Sequence, residues 1–166
     1  MAYTSRWPIE EPASGAGTRE GAQTAKVALN RRIDVLAKVP MFAGLSKRQL
    51  QALARASTSH RWPAGALIVA EGSNDQYCYV VVDGTVEVVR HGQSVAVLGP
   101  GEFFGEIAIL DPGPRTATVM TATDVVAVCL HRQGLVDVAL KDPQVSLRML
   151  GALARRVREM TEQRSD

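Results

Sequence analysis

Short runs of β-branched and other apolar residues, interrupted by turn-forming residues, constrain the fold of this chain more than any other feature. Six such runs follow one another through the middle of the sequence, at 66–70, 77–82, 85–90, 94–98, 116–121 and 125–130. Strands this short and evenly spaced are typical of a closed β-sandwich or a jelly-roll barrel. The sequence therefore predicts a mainly β core.

Three turn signals connect these runs. Asp83-Gly84 alone separates two of them, and a two-residue Asp-Gly segment is among the strongest hairpin signals that a sequence can carry. His91-Gly92 makes a second turn of the same kind, and Gly99-Pro100-Gly101 makes a third. We predict a β-hairpin at each of the first two turns.

Helical periodicity flanks the β region on both sides. Apolar residues follow one helical face at 27–38, and Ser46 is a suitable N-cap for a second short helix over 47–56. Two closing helices are predicted over 132–140 and 143–160. The predicted fold class is α+β, mainly β: a double-stranded β-helix (jelly-roll) barrel with short N-terminal helices and two C-terminal helices.

The first 25 residues differ in composition from the rest of the chain. They are rich in Pro, Gly, Ala, Ser and Thr without a sustained apolar period, so they cannot bury enough surface to offset the entropy of ordering. We therefore predict a flexible tail at 1–25 and one folded domain at 26–162. Docking of Trp7, or its use in a short linear motif, is an open alternative for the tail.

Charge, cysteine and histidine content argue against several functional classes. The 19 basic and 17 acidic side chains leave a formal net charge of +2, which favours neither nucleic acid nor an anionic membrane as a partner. Cys78 and Cys129 lie in apolar runs, and neither they nor the histidines have metal-ligand spacing, so no metal is predicted. Because the sequence shows no signal-peptide pattern and no apolar run of about 18 residues, we predict a cytoplasmic location.

The segment 101–119 carries the most informative chemistry. Gly105 leaves the backbone open to a closely approaching ligand, and residues 106–110 can form one helical turn whose exposed amides attract phosphate. Arg115 supplies a planar guanidinium for paired, charge-assisted hydrogen bonds to phosphate oxygens. Glu106 can accept hydrogen bonds from a sugar hydroxyl. This segment therefore predicts a pocket for a small phosphate-bearing ligand.

Two stretches of this segment, F-G-E-I-A at 104–108 and P-R-T-A-T-V at 114–119, resemble the phosphate-binding cassette of the cyclic-nucleotide-binding domain family. The resemblance extends from about Met41 to Met160. The family includes the catabolite-activator type of bacterial regulator, the regulatory subunits of cyclic-nucleotide-dependent kinases, and gated channels.

The resemblance implies a role for each residue of the cassette. Glu106 would bind the ribose 2′-hydroxyl and Arg115 the cyclic phosphate, with nearby backbone amides completing the phosphate cradle. The hydroxyl of Thr116 can favour cyclic GMP in this family, but many bacterial members that carry it accept cyclic AMP, so both nucleotides stay open. The implied ligand-binding set is Gly105, Glu106, Ile107, Ala108, Arg115 and Thr116.

No catalytic motif accompanies the cassette, since the sequence contains no nucleophile elbow, Walker-type loop or H-E-x-x-H helix. We therefore predict a non-catalytic sensor with no cofactor. The resemblance implies that its last helix moves on binding, and its predicted partners are a cyclic nucleotide and a protein effector. In the bacterial regulators of the family a winged helix-turn-helix follows the last helix. Only 161–166 remain here, so we expect no DNA-binding role.

Two alternatives stay open beside the sensor. The chain is either a structural or dimerisation module whose cassette is degenerate, or a regulatory domain excised from a longer protein. An apolar stripe in the last helix fits packing against the barrel or pairing with a second copy of the chain as a homodimer. The stripe is formed by Ser146, Leu150, Leu153, Val157 and Met160.

Overall fold

The computed structural model of the chain describes residues 22–164. The strands are β1 Gln23–Thr24, β2 Thr58–Trp62, β3 Leu67–Val69, β4 Tyr77–Asp83, β5 Val86–Arg90, β6 Gln93–Leu98, β7 Phe103–Phe104, β8 Thr118–Thr121 and β9 Val125–His131. The α-helices are α1 Leu29–Leu36, α2 Lys47–Ala56, α3 Arg132–Lys141 and α4 Gln144–Arg164, and a 3-10 turn covers Pro40–Phe42. Of the predicted tail, residues 1–21 lie outside this description, whereas Gln23–Thr24 pair with β2.

The strands form two antiparallel sheets. The five-stranded sheet has the order β1-β2-β9-β4-β7, and the four-stranded sheet has the order β3-β8-β5-β6. The mainly β class with flanking helices is confirmed, but the predicted closed barrel is wrong, because the two sheets share no strand pairing. Gly101, at a φ of 84°, turns the chain from β6 into the other sheet, where β7 is only two residues long.

The predicted hairpin at Asp83-Gly84 is also wrong. Strand β4 pairs with β7 and β9, whereas β5 pairs with β6 and β8, so this turn carries the chain from one sheet to the other. Its tight packing against a neighbouring turn explains the difference, because a Cβ at Gly84 would lie 2.0 Å from the carbonyl oxygen of Asp124. Thr85 completes the crossing by donating its amide to the Thr123 hydroxyl at 3.0 Å.

The second predicted hairpin is confirmed. His91 and Gly92 connect β5 to β6, with Arg90 paired to Gln93 across the turn. Both turn residues have positive φ, 50° for His91 and 76° for Gly92. A two-residue turn of this geometry matches the right-handed twist of the strands that it joins.

Two apolar clusters make up the core, and β4 separates them. Cys78 and Val80 face the cluster formed with the helices, whereas Tyr79 and Val81 face the cluster enclosed between the two sheets. Side chains of successive strand residues point to opposite faces, so a strand that is covered on both sides reads as a continuous apolar run. This explains why β4 lacks an alternating polar pattern.

The helices collect on the outer side of the five-stranded sheet. Helix α2 coincides with the predicted 47–56, and Ser46 caps it with a hydrogen bond from the amide of Gln49, whose side chain bonds back to the Ser46 amide. Helix α4 follows a break at Asp142 and packs against the 3-10 turn. Among residues 22–164, no helix is long and apolar enough to cross a lipid bilayer.

Candidate ligand-binding site

The predicted cassette connects the two sheets. Residues 105–117 leave the five-stranded sheet after β7 and enter the four-stranded sheet at β8. The segment therefore joins the two sheets through backbone that is not committed to strand pairing. The predicted ligand-binding residues at its two ends are Gly105, just after β7, and Arg115, just before β8.

Arg115 is buried and held by an ion pair. Its side chain is only 7% exposed, and Nη2 lies 2.9 Å from Oδ1 of Asp75, whose side chain is 5% exposed. The same Nη2 also donates to the carbonyl oxygen of Tyr77. Two buried groups that pair in this way are costly to separate, because either one alone would leave an uncompensated charge. The guanidinium is therefore fixed in place.

Asp75 is held by contacts of its own. Its Oδ1 accepts a hydrogen bond from the amide of Tyr77 at 2.7 Å, and its Oδ2 accepts one from the Tyr79 hydroxyl at 2.6 Å. Burial, and then the Asp75 carboxylate, raise the pKa of Tyr79 above that of an ordinary tyrosine. The phenol stays protonated and keeps donating, so Asp75 is a fixed acceptor for Arg115.

One donor nitrogen of the Arg115 guanidinium, Nε, is unpaired in the described part of the chain. Within residues 22–164, Nε is buried and meets no hydrogen-bond acceptor. The backbone beside it is fully used, because the Arg115 amide donates to Ser73 at 2.7 Å and its carbonyl accepts from Gly72 at 2.8 Å. An unpaired buried donor on a cation is unfavourable in a protein interior. A ligand oxygen that reaches Nε would satisfy this donor.

Gly105 lies against Arg115, as a close approach requires. Its φ is 81°, and a Cβ there would lie 2.5 Å from Arg115 Nη1 and 2.5 Å from the carbonyl oxygen of Tyr77. Any other residue would displace the guanidinium or the β4 backbone. Position 105 therefore requires glycine for two reasons: its backbone is left-handed, and there is no room for a Cβ.

Residues 106–110 form a single hydrogen-bonded turn. The carbonyl of Ile107 accepts from the amides of Leu110 at 3.0 Å and Asp111 at 2.8 Å. Within the described part of the chain, the amides of Ile107 and Ala108 donate to no backbone acceptor outside regular elements. The Ile107 side chain is largely exposed, so the predicted contribution of this residue rests on its backbone.

Glu106 lies below helix α4. Its side chain is 16% exposed, and Oε1 is 3.8 Å from Nη1 of Arg156, which is 43% exposed. Cys78 lies within reach of the Glu106 charge. Burial, and then the Glu106 carboxylate, raise the pKa of the Cys78 thiol. This cysteine therefore stays protonated within the core, with no role as a nucleophile.

Thr116 lies at the exposed rim. Its carbonyl oxygen accepts a hydrogen bond from Nε of Arg90 on β5, at 3.2 Å. The structure thus brings Gly105 next to Arg115 and holds Glu106 under α4, while Thr116 stays at the surface. The sequence reasoning missed Asp75, which no local pattern marks as a partner of Arg115. Among residues 22–164, no group of three His, Cys, Asp or Glu side chains could hold a metal ion.

The chain matches the family model described as the cyclic nucleotide-binding domain over residues 59–142. It is 31% identical over 138 residues to a CRP-like cAMP-activated global transcriptional regulator of Mycobacterium tuberculosis, covering 80% of this chain and 62% of that protein. It is also 36% identical over 90 residues to the cAMP-dependent protein kinase regulatory subunit of Schizosaccharomyces pombe, covering 54% of this chain and 22% of that one.

A solved structure supports the same relationship. The N-terminal domain of a transcriptional regulator from Streptomyces coelicolor A3(2) aligns with a TM-score of 0.73 and 35% identity, covering 80% of this chain and 96% of that one. The chain thus spans nearly all of a solved domain, but only about 60% of the length of the curated regulators that it matches.

Proposed function

The chain belongs to the cyclic nucleotide-binding domain family, and from this premise we propose that it is a non-catalytic sensor of cyclic AMP or cyclic GMP. The observation that carries the proposal is the buried Arg115 guanidinium, which is held in place yet has one donor nitrogen, Nε, without a partner. A cyclic phosphate is an anion with oxygens suited to planar, charge-assisted pairing. The relationship to a cAMP-activated regulator and to a cAMP-dependent protein kinase regulatory subunit supports the same proposal.

In this proposal the cassette residues act on different parts of one nucleotide. Arg115 binds the cyclic phosphate, and the amides of Ile107 and Ala108 donate to the same oxygens. Gly105 lets the ligand approach the backbone. Glu106 accepts from the ribose 2′-hydroxyl, and Thr116 at the rim bears on the choice of base. Calorimetric titration of Thr116→Ala with both nucleotides tests that choice, because loss of the hydroxyl should weaken cyclic GMP more than cyclic AMP.

Occupancy would be relayed through helix α4. The contact between Glu106 and Arg156 joins the proposed ribose site to the helix, and a ribose hydroxyl would compete for the same carboxylate. Lower on the helix, Arg148 donates to the carbonyl oxygen of Gly44 at 3.1 Å, which ties the start of α4 to the N-terminal helices. A ligand can move α4 only by binding its two positions with different affinity.

The deciding experiment is calorimetric titration of the whole chain with cyclic AMP and cyclic GMP, repeated on Arg115→Ala and Arg115→Lys. Loss of a hydrogen bond to a charged group costs about 1.5–3 kcal/mol, so Arg115→Ala should weaken binding roughly ten- to a hundredfold. Arg115→Lys keeps the charge but loses the planar fork, and should fall in between.

Arg32→Ala is the matched control for this titration. Arg32 also donates to backbone carbonyl oxygens, those of Val27 at 3.0 Å and Ser57 at 2.9 Å, and these partners lie outside the cassette. Its replacement should leave nucleotide affinity unchanged. Absence of heat and of any rise in melting temperature with either nucleotide would contradict the sensor proposal.

A dimerisation module is the second candidate, and one observation favours it. Helix α4 exposes four large apolar side chains, each more than half accessible: Leu147, Leu150, Val157 and Met160. Leu150 and Val157 are seven residues apart, as in the seam of a coiled coil. We propose that a second copy covers this face. Sedimentation of the chain and of Leu150→Glu should then show a dimer and a monomer, respectively.

The remaining parts of the proposal concern partners and place. We propose a protein effector that reads the position of α4, and no nucleic-acid role, since the net charge is close to balance. The cytoplasmic location stays a prediction from the sequence.

A further inference from the structure

Arg132 links the cassette to the rest of the fold, although no sequence pattern marks it. It is the first residue of α3, directly after β9. Its Nη1 donates to the carbonyl oxygens of Ile109 at 2.6 Å and Leu110 at 2.9 Å, the last two residues of the cassette turn. The guanidinium therefore caps the end of the turn opposite Glu106.

Arg132 supplies hydrogen-bond donors to carbonyl groups at the end of the cassette turn. A single hydrogen-bonded turn is only marginally stable by itself, because few bonds offset the entropy of fixing its backbone. Carbonyl groups at the end of such a turn have no partner within it, and a cation is favourable there. The position of Glu106 and of the neighbouring amides thus depends on a contact from outside the cassette, and Arg132 makes it.

The backbone of Arg132 reaches the opposite side of the site. Its amide donates to the carbonyl oxygen of Gln76 at 2.9 Å. Gln76 lies between Asp75 and Tyr77, the two residues that receive Nη2 of Arg115. One residue therefore contacts both the cassette turn and the segment that fixes Arg115.

We infer that Arg132 is a positioning residue for ligand binding: it sets the distance between the cassette turn and Arg115, and so the geometry with which both meet one nucleotide. The inference rests on the proposed function for its ligand, but its structural part does not. Arg132 itself need not touch the ligand. Removing a residue that orients a metal ligand typically weakens metal binding by about ten- to a hundredfold, and we expect an effect of the same order here.

The test compares Arg132→Met and Arg132→Lys with Arg32→Met by titration of the whole chain with cyclic AMP. Arg32 is matched because it also donates to backbone carbonyl oxygens, and all three variants are first compared by thermal unfolding without ligand. We expect Arg132→Met to bind about tenfold more weakly. Arg132→Lys should recover part of that loss. Arg32→Met should bind cyclic AMP as the unaltered chain does, even if its melting temperature falls by as much as that of Arg132→Met.

Two further measurements separate positioning from general loss of structure. Amide hydrogen exchange without ligand should be faster at Leu110 and Asp111 in Arg132→Met, and unchanged there in Arg32→Met. When Arg115 is already replaced by lysine, adding Arg132→Met should weaken cyclic AMP binding by much less than tenfold. The effects of two residues that act on the same ligand are not additive.

Equal affinities of Arg132→Met and Arg32→Met, or full additivity with Arg115→Lys, would overturn the inference while leaving the sensor proposal intact. Failure of the unaltered chain to bind either nucleotide would overturn the sensor proposal instead. Even if the chain binds neither nucleotide, amide exchange at Leu110 and Asp111 tests whether Arg132 holds the cassette turn. Exchange that is unchanged in Arg132→Met would show that it does not.

Discussion

Replacing Gly105 with alanine should destabilise the ligand-free chain far more than a glycine-to-alanine change usually does. An alanine in left-handed backbone costs about 1–2 kcal/mol. The added Cβ would also lie 2.5 Å from both Arg115 Nη1 and the Tyr77 carbonyl oxygen, about 1 Å inside the optimal separation of non-bonded atoms. If the guanidinium moves, hydrogen bonds to a charged group are lost, at about 1.5–3 kcal/mol. The total is about 2.5–5 kcal/mol.

Gly72→Ala is the matched control for this change. Gly72 has a φ of 83°, almost the same as Gly105, but a Cβ there would meet nothing within 4 Å. Gly72→Ala should therefore lower stability only by the cost of placing alanine in left-handed backbone, about 1–2 kcal/mol. Effects of the methyl group on the unfolded chain are similar at both positions and cancel in the comparison.

Urea unfolding followed by circular dichroism measures both variants, with melting temperature as a second reading. For a chain of this length about 1 kcal/mol corresponds to roughly 3 °C, so Gly105→Ala should melt about 5–9 °C below Gly72→Ala. Gly105→Ala should also bind cyclic nucleotide more weakly, because Arg115 is displaced. Equal stability of the two variants would refute the packing of Gly105 against Arg115, and with it the rigid placement of the guanidinium.

Two other predictions concern the groups around this site. Because burial raises the pKa of Tyr79, its contribution to stability is complete below the ordinary tyrosine pKa of about 10 and is lost as pH rises above it. Urea unfolding at rising pH should thus show a decline above about pH 10 that is shallower in Tyr79→Phe, and parallel declines would contradict this. Arg156→Ala should change stability by less than about 1 kcal/mol, since its ion pair with Glu106 is partly exposed. The variant should nevertheless reduce ligand-induced protection of α4 amides in hydrogen exchange, and undiminished protection would exclude Arg156 from the relay.

Much of the fold could be predicted because its signals are local. Helix α2 has the predicted bounds, because the capping box that starts it lies within four consecutive residues, from Ser46 to Gln49. The strands with continuous apolar runs were predicted to within two residues at either end. Strand β2 was missed because its residues, Thr58–Trp62, include only one large apolar side chain, and its buried Ser59 satisfies its hydroxyl by donating to Ala25 at 2.6 Å.

The parts of the site that escaped prediction depend on tertiary contact. Asp75 is 40 positions from Arg115, and Arg132 is 22 and 23 positions from the carbonyl groups that it caps. No spacing rule connects such residues, because the connection is made by strand pairing. At Asp83-Gly84 the local signal correctly predicts a turn. The pairing of the strands on either side, which the local sequence does not encode, makes this turn a connection between two sheets.

The pairing of β2 with β9 has a consequence for how the chain comes to be folded. Thr58 lies opposite Cys129 and Trp62 opposite Val125, partners roughly sixty to seventy positions apart in the sequence. Strand β9 also pairs with β4, so it is the central strand that holds the five-stranded sheet together. A chain growing from its N-terminus therefore contains the whole cassette before the strand that organises it has been made. Such long-range closure is slow compared with local helix formation. In the proposed sensor, a nucleotide would therefore bind only after this sheet has formed.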